Sequence, residues 1–169
     1  MGPKGWSFAR VLAVTTGLAL ILFWLWIFSG APRKQNPDYL EDRAWAERTE
    51  ATCAATVARI DDLPAAPSAG SSSERAAVVD RANDELEAML DELDVDLPSS
   101  QEDLQVVRPW LADWRTYLAN RRDYADRLRT DPGAQLLVDE KFRDPIETVI
   151  GTFAEVNEMD SCVVPGDVG

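Results

Sequence analysis

The sequence predicts an all-α protein in which an N-terminal transmembrane helix precedes an antiparallel bundle of three long helices and one short C-terminal helix. Three observations support this prediction. Residues 11–28 form an uncharged apolar run, every acidic residue lies at or after Asp38, and apolar residues then recur every three to five positions. A small hairpin at 136–142 could interrupt the helices, because apolar side chains there flank Asp139 and Glu140.

The apolar run VLAVTTGLALILFWLWIF is long enough to cross a membrane. As a helix it spans about 27 Å, close to the thickness of a bilayer's hydrocarbon core. Trp24, Trp26 and Phe28 crowd its C-terminal end, where aromatic rings suit the boundary between lipid and water. We therefore expect a signal anchor that makes a single pass through the lipid bilayer.

A cleaved signal peptide is the alternative interpretation of this run. Ser29-Gly30-Ala31 resembles a cleavage site for a signal peptidase. The run is longer than a usual signal core, however, and Pro32 would directly follow the cut. Both features favour retention of the helix.

The anchor divides the chain into four parts: a short cytoplasmic tail (1–10), the transmembrane helix (11–28), a juxtamembrane linker (29–36) and an acidic helical extracytoplasmic domain (37–169). From Gln35 onward the chain has 12 arginines, one lysine and 30 acidic residues, a net charge of about −17. Such a domain repels polyanions, so we expect no nucleic-acid partner.

The orientation of the anchor is not decided by its flanking charges, because lysine and arginine occur on both sides. Two other features favour an N-terminus inside and a C-terminal domain outside the cell membrane. A short cationic tail is difficult to translocate, and the cysteine usage suits an oxidising compartment.

Three small residues, Ala9, Ala13 and Gly17, are spaced four apart and share one face of the predicted membrane helix. Small-residue stripes let two membrane helices approach closely, so this face could mediate helix pairing. The simpler explanation is that small residues are common in membrane spans.

Capping and turn signals set the expected helix boundaries. Asn36-Pro37 should begin the first domain helix, which continues to about Asp62. Capping boxes at Ser71 and Ser99 should begin the second and third, which end near Asp94 and Thr130. The last helix should follow Asp144-Pro145 and continue to about Met159. The segment 64–73 has no helical pattern and is expected to be a loop.

The chain has two cysteines, Cys53 and Cys162. In an exported domain they are expected to form a disulfide that fixes the C-terminal segment to the first domain helix. The alternative is two free thiols, with Cys53 as a small core residue.

The sequence lacks the usual signs of catalysis or of a bound metal. It contains no histidine, and no phosphate loop, dinucleotide fingerprint, nucleophile elbow or zinc motif. We therefore expect no enzyme activity, no cofactor and no metal. Residues 91–102 match a calcium loop in length, but Leu93 and Val95 occupy positions that should supply ligands. Weak cation binding by Asp91, Asp94 and Asp96 is the remaining alternative to a solvated helix end.

The third helix has one face rich in aromatic and arginine side chains. Three interpretations remain open for it: core packing with arginine stacked on rings, a surface that binds a partner protein, or a groove for a small ligand. The residues on or beside this face are Trp110, Trp114, Arg115, Tyr117, Arg121 and Tyr124.

Four stretches of the domain resemble a family of uncharacterised actinobacterial single-pass membrane proteins. They are NPDYLEDRAWAERTEATCAATVARIDDLP, RAAVVDRANDELEAML, WLADWRTYLANRRDYADRL and FAEVNEMDSCVVPGDV. The resemblance implies a single membrane span and a helical domain, and it implies no activity, cofactor or site residue.

These observations favour a membrane-anchored, non-enzymatic interaction or accessory module of the bacterial cell envelope, with a membrane or envelope protein as its partner. The alternative is an extracytoplasmic domain that binds a small ligand or cations. A concave pocket with converging polar groups would favour the alternative.

Overall fold

The computed structural model describes residues 8–29 and 36–167, with the side chain of Pro67 excepted. The predicted cytoplasmic tail therefore lies outside the described residues except for 8–10, and the predicted linker lies outside them except for Ser29 and Asn36. The chain divides into two compact units, Met1–Tyr39 and Leu40–Gly169.

The first unit contains helix α1, Phe8–Phe28, which is long and apolar enough to span a membrane. None of its residues is buried. The hydroxyl of Thr15 donates to the carbonyls of Val11 and Leu12, at 3.0 and 2.9 Å, and thus needs no water partner. At the C-terminal end the rings of Trp24 and Phe28 stack with centroids 5.6 Å apart.

The second unit is a helical bundle, which confirms the predicted all-α class. Its elements are helix α2 (Arg43–Asp61), a 3-10 helix (Ala66–Ser68), α3 (Ser72–Val95), α4 (Gln101–Thr130), strands β1 (Glu140–Lys141) and β2 (Asp144–Pro145), and α5 (Ile146–Val156). The 3-10 helix falls within a segment that the sequence predicted only as a loop.

Helix α2 begins later than predicted. Asn36 forms a turn, in which its side chain accepts a hydrogen bond from the Asp38 amide, and the N-cap is Asp42. Tertiary contacts explain the delay. The amides of Glu41 and Asp42 donate to the two carboxylate oxygens of Asp103, each at 3.0 Å, so they are already satisfied outside a helix.

The other helix boundaries agree with the predictions to within three residues. Ser71 caps α3 by accepting from the Glu74 amide at 3.2 Å, as predicted. Ser100, not Ser99, caps α4. Helix α5 ends at Val156 rather than near Met159, because Glu158 has φ 61° and the chain closes a Schellman-type turn there.

The small hairpin exists, but the prediction that placed it at 136–142 was wrong. Strand β1 pairs antiparallel with β2, in the register Glu140 to Pro145 and Lys141 to Asp144. Leu136 and Val138 lie in irregular chain instead, where both pack against the core. Their apolar character reflects this packing and not a strand.

Ion pairs across the bundle show that neighbouring long helices are antiparallel. In the ion pairs between α3 and α4, the residue number of the acidic partner on α3 falls as that of the arginine on α4 rises. The pairs are Asp94–Arg115, Glu87–Arg122 and Asp80–Arg129. The same reversal relates α2 to α3 in the pairs Arg48–Asp96 and Arg59–Glu85. Helix α3 therefore lies between α2 and α4 with a row of charge pairs on each side.

Candidate functional sites

The aromatic face predicted on α4 is part of the core. Five of its six side chains are buried, with exposed fractions of 3% or less: Trp110, Trp114, Tyr117, Arg121 and Tyr124. The Trp110 ring stacks on Phe153 of α5 with centroids 5.1 Å apart. The hypothesis of a partner surface or open groove along this face is therefore wrong, because the rings fill the space between helices.

Arg115, the sixth residue of that predicted face, lies at the surface. Its guanidinium pairs with Asp94 of α3. It therefore belongs to the row of charge pairs between α3 and α4, where an exposed pair contributes about 0–1 kcal/mol.

Arg121 is the unusual member of the α4 face, since it is a buried cation. Its Nη1 and Nη2 atoms donate to the two carboxylate oxygens of Asp167, at 2.7 and 2.6 Å. Its Nε donates to Oδ1 of Asn83 on α3, at 2.6 Å. The guanidinium carbon also lies 5.8 Å from the centre of the Tyr117 ring. The guanidinium of Arg121 on α4 thus bonds to both α3 and the C-terminal segment.

Burial and pairing act in opposite directions on Arg121. Burial penalises its charged form, but the hydrogen bonds and charge of Asp167 and the contact with Tyr117 outweigh that penalty and raise the pKa of Arg121. The side chain therefore remains a cation inside the bundle. Burial also raises the pKa of the Tyr117 hydroxyl, against a smaller opposing effect of Arg121.

A cavity adjoins the Arg121–Asp167 pair. It has a volume of about 260 Å³, and Asp167 contributes to its wall. Most of the wall is apolar and comes from the C-terminal end of α2, the following loop and α3: Ile60, Leu63, Pro64, Ala65, Ala66, Val78 and Ala82. This cavity could not be predicted from the sequence, because its wall combines segments distant in the chain.

The tip of the hairpin is a second unusual feature. Phe142 and Arg143 form the turn, and both have positive φ angles, 59° and 76°. Turns with two positive φ angles favour Asn-Gly, because glycine lacks a Cβ and asparagine tolerates the left-handed region better than most residues, whereas other side chains are strained there. The Phe142 ring is nevertheless 80% exposed. The Arg143 side chain makes no hydrogen bond or ion pair with any residue that the structure describes.

The hairpin is attached to α4 through Lys141. Its ammonium donates to both carboxylate oxygens of Asp113, at 2.8 and 2.6 Å, and lies 5.3 Å from the centre of the Phe142 ring. The Asp113 side chain is nearly buried, with 11% of its surface exposed. The hairpin is thus joined to α4 at the residue that precedes the exposed ring.

The two cysteines form the predicted disulfide. Cys53 of α2 and Cys162 of the C-terminal segment have Cα atoms 5.1 Å apart and bonded sulfurs. The bond fixes the chain five residues before Asp167. It thereby helps to hold the carboxylate that pairs with Arg121.

The acidic cluster Asp91, Asp94 and Asp96, for which the sequence suggested weak cation binding as an alternative, is partly neutralised by arginines. Asp94 pairs with Arg115, and Asp96 pairs with Arg48, whose hydrogen bond lowers the pKa of the Asp96 carboxyl. Only Asp91 of the three has no arginine partner among the described residues. Within residues 8–29 and 36–167, no group of three or more acidic or cysteine side chains could hold a metal ion.

The predicted pairing stripe Ala9, Ala13 and Gly17 lies within α1. Apart from the backbone of the helix itself and the adjacent residues, no described atom lies within 4 Å of a Cβ built on Gly17. Pairing of two such helices remains a prediction.

Comparison of this chain with known proteins found no related protein. The chain matches no protein-family model, no curated protein and no solved structure. The resemblance to actinobacterial single-pass membrane proteins therefore remains a prediction, and function has to be argued from the geometry of this chain.

Proposed function

We propose that this chain is a membrane-anchored, non-enzymatic interaction module of a bacterial cell envelope, of the actinobacterial type that its sequence resembles. In this proposal α1 crosses the cell membrane once, with its N-terminus inside, and displays the helical domain outside. The tip of the hairpin, Phe142 and Arg143, contacts a protein partner.

Two features support the anchor and the orientation. Helix α1 has 21 residues, which extend about 32 Å and match the hydrocarbon thickness of a bilayer. The Cys53–Cys162 disulfide suits an oxidising compartment, as found outside the cytoplasm.

The observation that carries the proposed contact is the exposed Phe142 ring on a turn of two strained residues. Each non-glycine residue at positive φ costs on the order of 1–3 kcal/mol, and such strain clusters at functional positions. Aromatic and arginine side chains also dominate the binding energy of protein interfaces. Backbone strain at the two residues that expose Phe142 and Arg143 is therefore consistent with a binding role for this turn.

The chemistry of the tip restricts the partner. Phe142 requires an apolar pocket, and the unpaired guanidinium of Arg143 requires a carboxylate at the edge of that pocket. A protein surface can offer both. An anionic lipid surface is disfavoured, because the domain's charge of about −17 opposes its approach.

Photocrosslinking in the native membrane tests the contact. Benzoylphenylalanine at position 142 should capture one protein, whereas the same probe at Val95, which is 89% exposed, should not. The captured protein should then bind the purified full chain, and Phe142→Ala should weaken binding about tenfold or more. Val95→Ala is the matched control and should leave the affinity unchanged.

Two outcomes would contradict the proposed contact. Capture of the same proteins from positions 142 and 95 would show that the tip has no special role. Capture of lipid alone at position 142 would replace the protein partner by the membrane surface.

Orientation has a separate test. Ser73 is exposed at the start of α3, so Ser73→Cys places a free thiol on the domain surface. A membrane-impermeant maleimide should label this thiol on intact cells. Labelling only after lysis would place the domain in the cytoplasm.

A further inference from the structure

We propose that Arg121 and Asn83 form a binding site for a small carboxylate with an apolar body, and that the side chain of Asp167 is the internal occupant of this site. The inference goes beyond the interaction module, because it assigns a ligand class to residues that are not part of the hairpin tip. It is carried by a buried cation, an unsatisfied donor and an adjoining apolar cavity.

The buried cation requires an anion. Arg121 is 0% exposed, and its anionic partner among the described residues is Asp167, which is 18% exposed. The other contacts of the guanidinium, Asn83 and Tyr117, are neutral. A buried guanidinium without a counter-ion is strongly destabilising, so the site needs an anion for the domain to keep its full stability.

The unsatisfied donor shows that Asp167 does not use every group of the site. Oδ1 of Asn83 accepts from Arg121, whereas Nδ2 of the same buried amide has no hydrogen-bond partner among the described residues. Buried amide donors rarely remain unpaired. Each carboxylate oxygen can accept two hydrogen bonds, so a free carboxylate could accept from both Arg121 and Asn83.

The cavity provides space for the remainder of a ligand. Its wall includes Asp167 itself and a second carboxylate, Asp61, and the other side chains around it are mainly aliphatic, among them Ile60, Leu63 and Val78. A ligand whose carboxylate replaced that of Asp167 would place its apolar body there. The volume of about 260 Å³ lies just below the usual range of about 300–1,000 Å³ for ligand pockets, which favours a short body.

The disulfide gives Asp167 an advantage over a free ligand. Cys162 is bonded to α2 only five residues before Asp167, so the carboxylate is held near Arg121 at a high effective concentration. A free carboxylate must compete with it. Binding should therefore be weak in the wild type and become strong when the internal carboxylate is removed.

The test uses the full chain in a non-ionic detergent, with hexanoate as the probe. Asp167→Ala removes the internal carboxylate and should lower the midpoint of thermal unfolding. Hexanoate should raise that midpoint again, and calorimetry should show hexanoate binding about tenfold or more tighter to D167A than to the wild type. Chloride at equal ionic strength and hexanol should have no such effect, since neither supplies an apolar carboxylate.

Two further probes identify the parts of the ligand. Acetate should bind D167A more weakly than hexanoate, because it leaves the cavity empty. N-acetyl-leucine represents the C-terminus of a peptide, so its affinity relative to hexanoate distinguishes a peptide carboxylate from an aliphatic acid. Preferential binding of either one supports the site.

A double variant controls for the role of the cation. Arg121→Met combined with D167A removes both charges and retains an apolar side chain of similar length, so hexanoate should have no effect on it. If D167A does not fold, Asp167→Asn retains the side-chain volume, and its refolding yield with and without hexanoate gives the same readout. The proposal is overturned if hexanoate affects neither single variant, or if it affects the double variant as strongly as D167A.

Discussion

Cys162 is bonded to Cys53, and this bond joins the C-terminal segment to the middle of α2 across a separation of 109 residues. Both cysteines are buried. A reductant therefore reaches the sulfurs only when the domain opens. The disulfide closes most of the domain into one loop, so it should strongly reduce the conformational entropy of the unfolded chain.

Removal of the Cys53–Cys162 disulfide should destabilise the domain strongly. In the chain-entropy description, a closed loop of this length stabilises by about 4–5 kcal/mol. We expect the double variant Cys53→Ala and Cys162→Ala to lose free energy of unfolding of that order, measured by guanidinium denaturation. Wild-type protein unfolded and refolded under reducing conditions is the matched control and should show a similar loss. A loss below about 1 kcal/mol would contradict a structural role of the bond.

Trp110 and Arg115 should behave very differently, although the sequence placed both in one candidate interaction face. Trp110 is buried against Phe153, so Trp110→Ala should cost about 3–5 kcal/mol of stability. Arg115 lies at the surface in a single ion pair, so Arg115→Ala should cost less than about 1 kcal/mol. Thermal unfolding of the two variants measures the difference. Similar small effects of both would show that the aromatic face is not core.

Most of the fold could be predicted because it depends on local signals. Helical periodicity and caps such as Ser71 placed the helices, and the two cysteines indicated their own pairing. The spacing of seven that brings Arg115, Arg122 and Arg129 opposite acidic side chains of α3 was also present in the sequence. This spacing could not be interpreted from the sequence alone, because the two rows can be matched only when the direction of α3 relative to α4 is known.

The candidate sites could not be predicted, since they depend on contacts between distant segments. The amide of Asn83, the guanidinium of Arg121 and the carboxylate of Asp167 come together only in the folded bundle. The hairpin tip carries none of the residues that usually announce a tight turn, so Phe142 and Arg143 gave no signal. Because the turn contains neither Asn nor Gly, the sequence does not indicate it, and in the structure both of its residues have strained backbone conformations.

Replacing the tip with a favourable turn should separate stability from binding. Phe142→Asn with Arg143→Gly gives the pair that turns with two positive φ angles prefer, so we expect a gain of about 1–2 kcal/mol in the free energy of unfolding. The same variant should lose the proposed partner, because both contacting side chains are absent. Chemical denaturation and binding to the captured protein provide the two measurements. A variant that is less stable than the wild type would show that the turn is not strained.

The hydroxyl of Tyr117 should make the domain sensitive to alkaline pH. Burial raises its pKa in the folded state, whereas an unfolded tyrosine titrates near its ordinary value of about 10. Below about pH 10 both states hold the proton, and the stability contributed by the neutral buried hydroxyl is fully present. As pH rises from there through the folded pKa, only the unfolded state releases its proton, so stability falls.

Tyr117→Phe isolates this effect, because the variant lacks the hydroxyl and retains the ring beside Arg121. Guanidinium denaturation between pH 8 and 11 should show the wild type losing more stability than the variant, by at most about 1.4 kcal/mol for each pH unit above 10. All other ionisable side chains are present in both proteins, so the difference between the two pH profiles reports the removal of the Tyr117 hydroxyl. Parallel pH profiles would mean that the Tyr117 hydroxyl reaches solvent in the folded domain, contrary to the burial of this side chain.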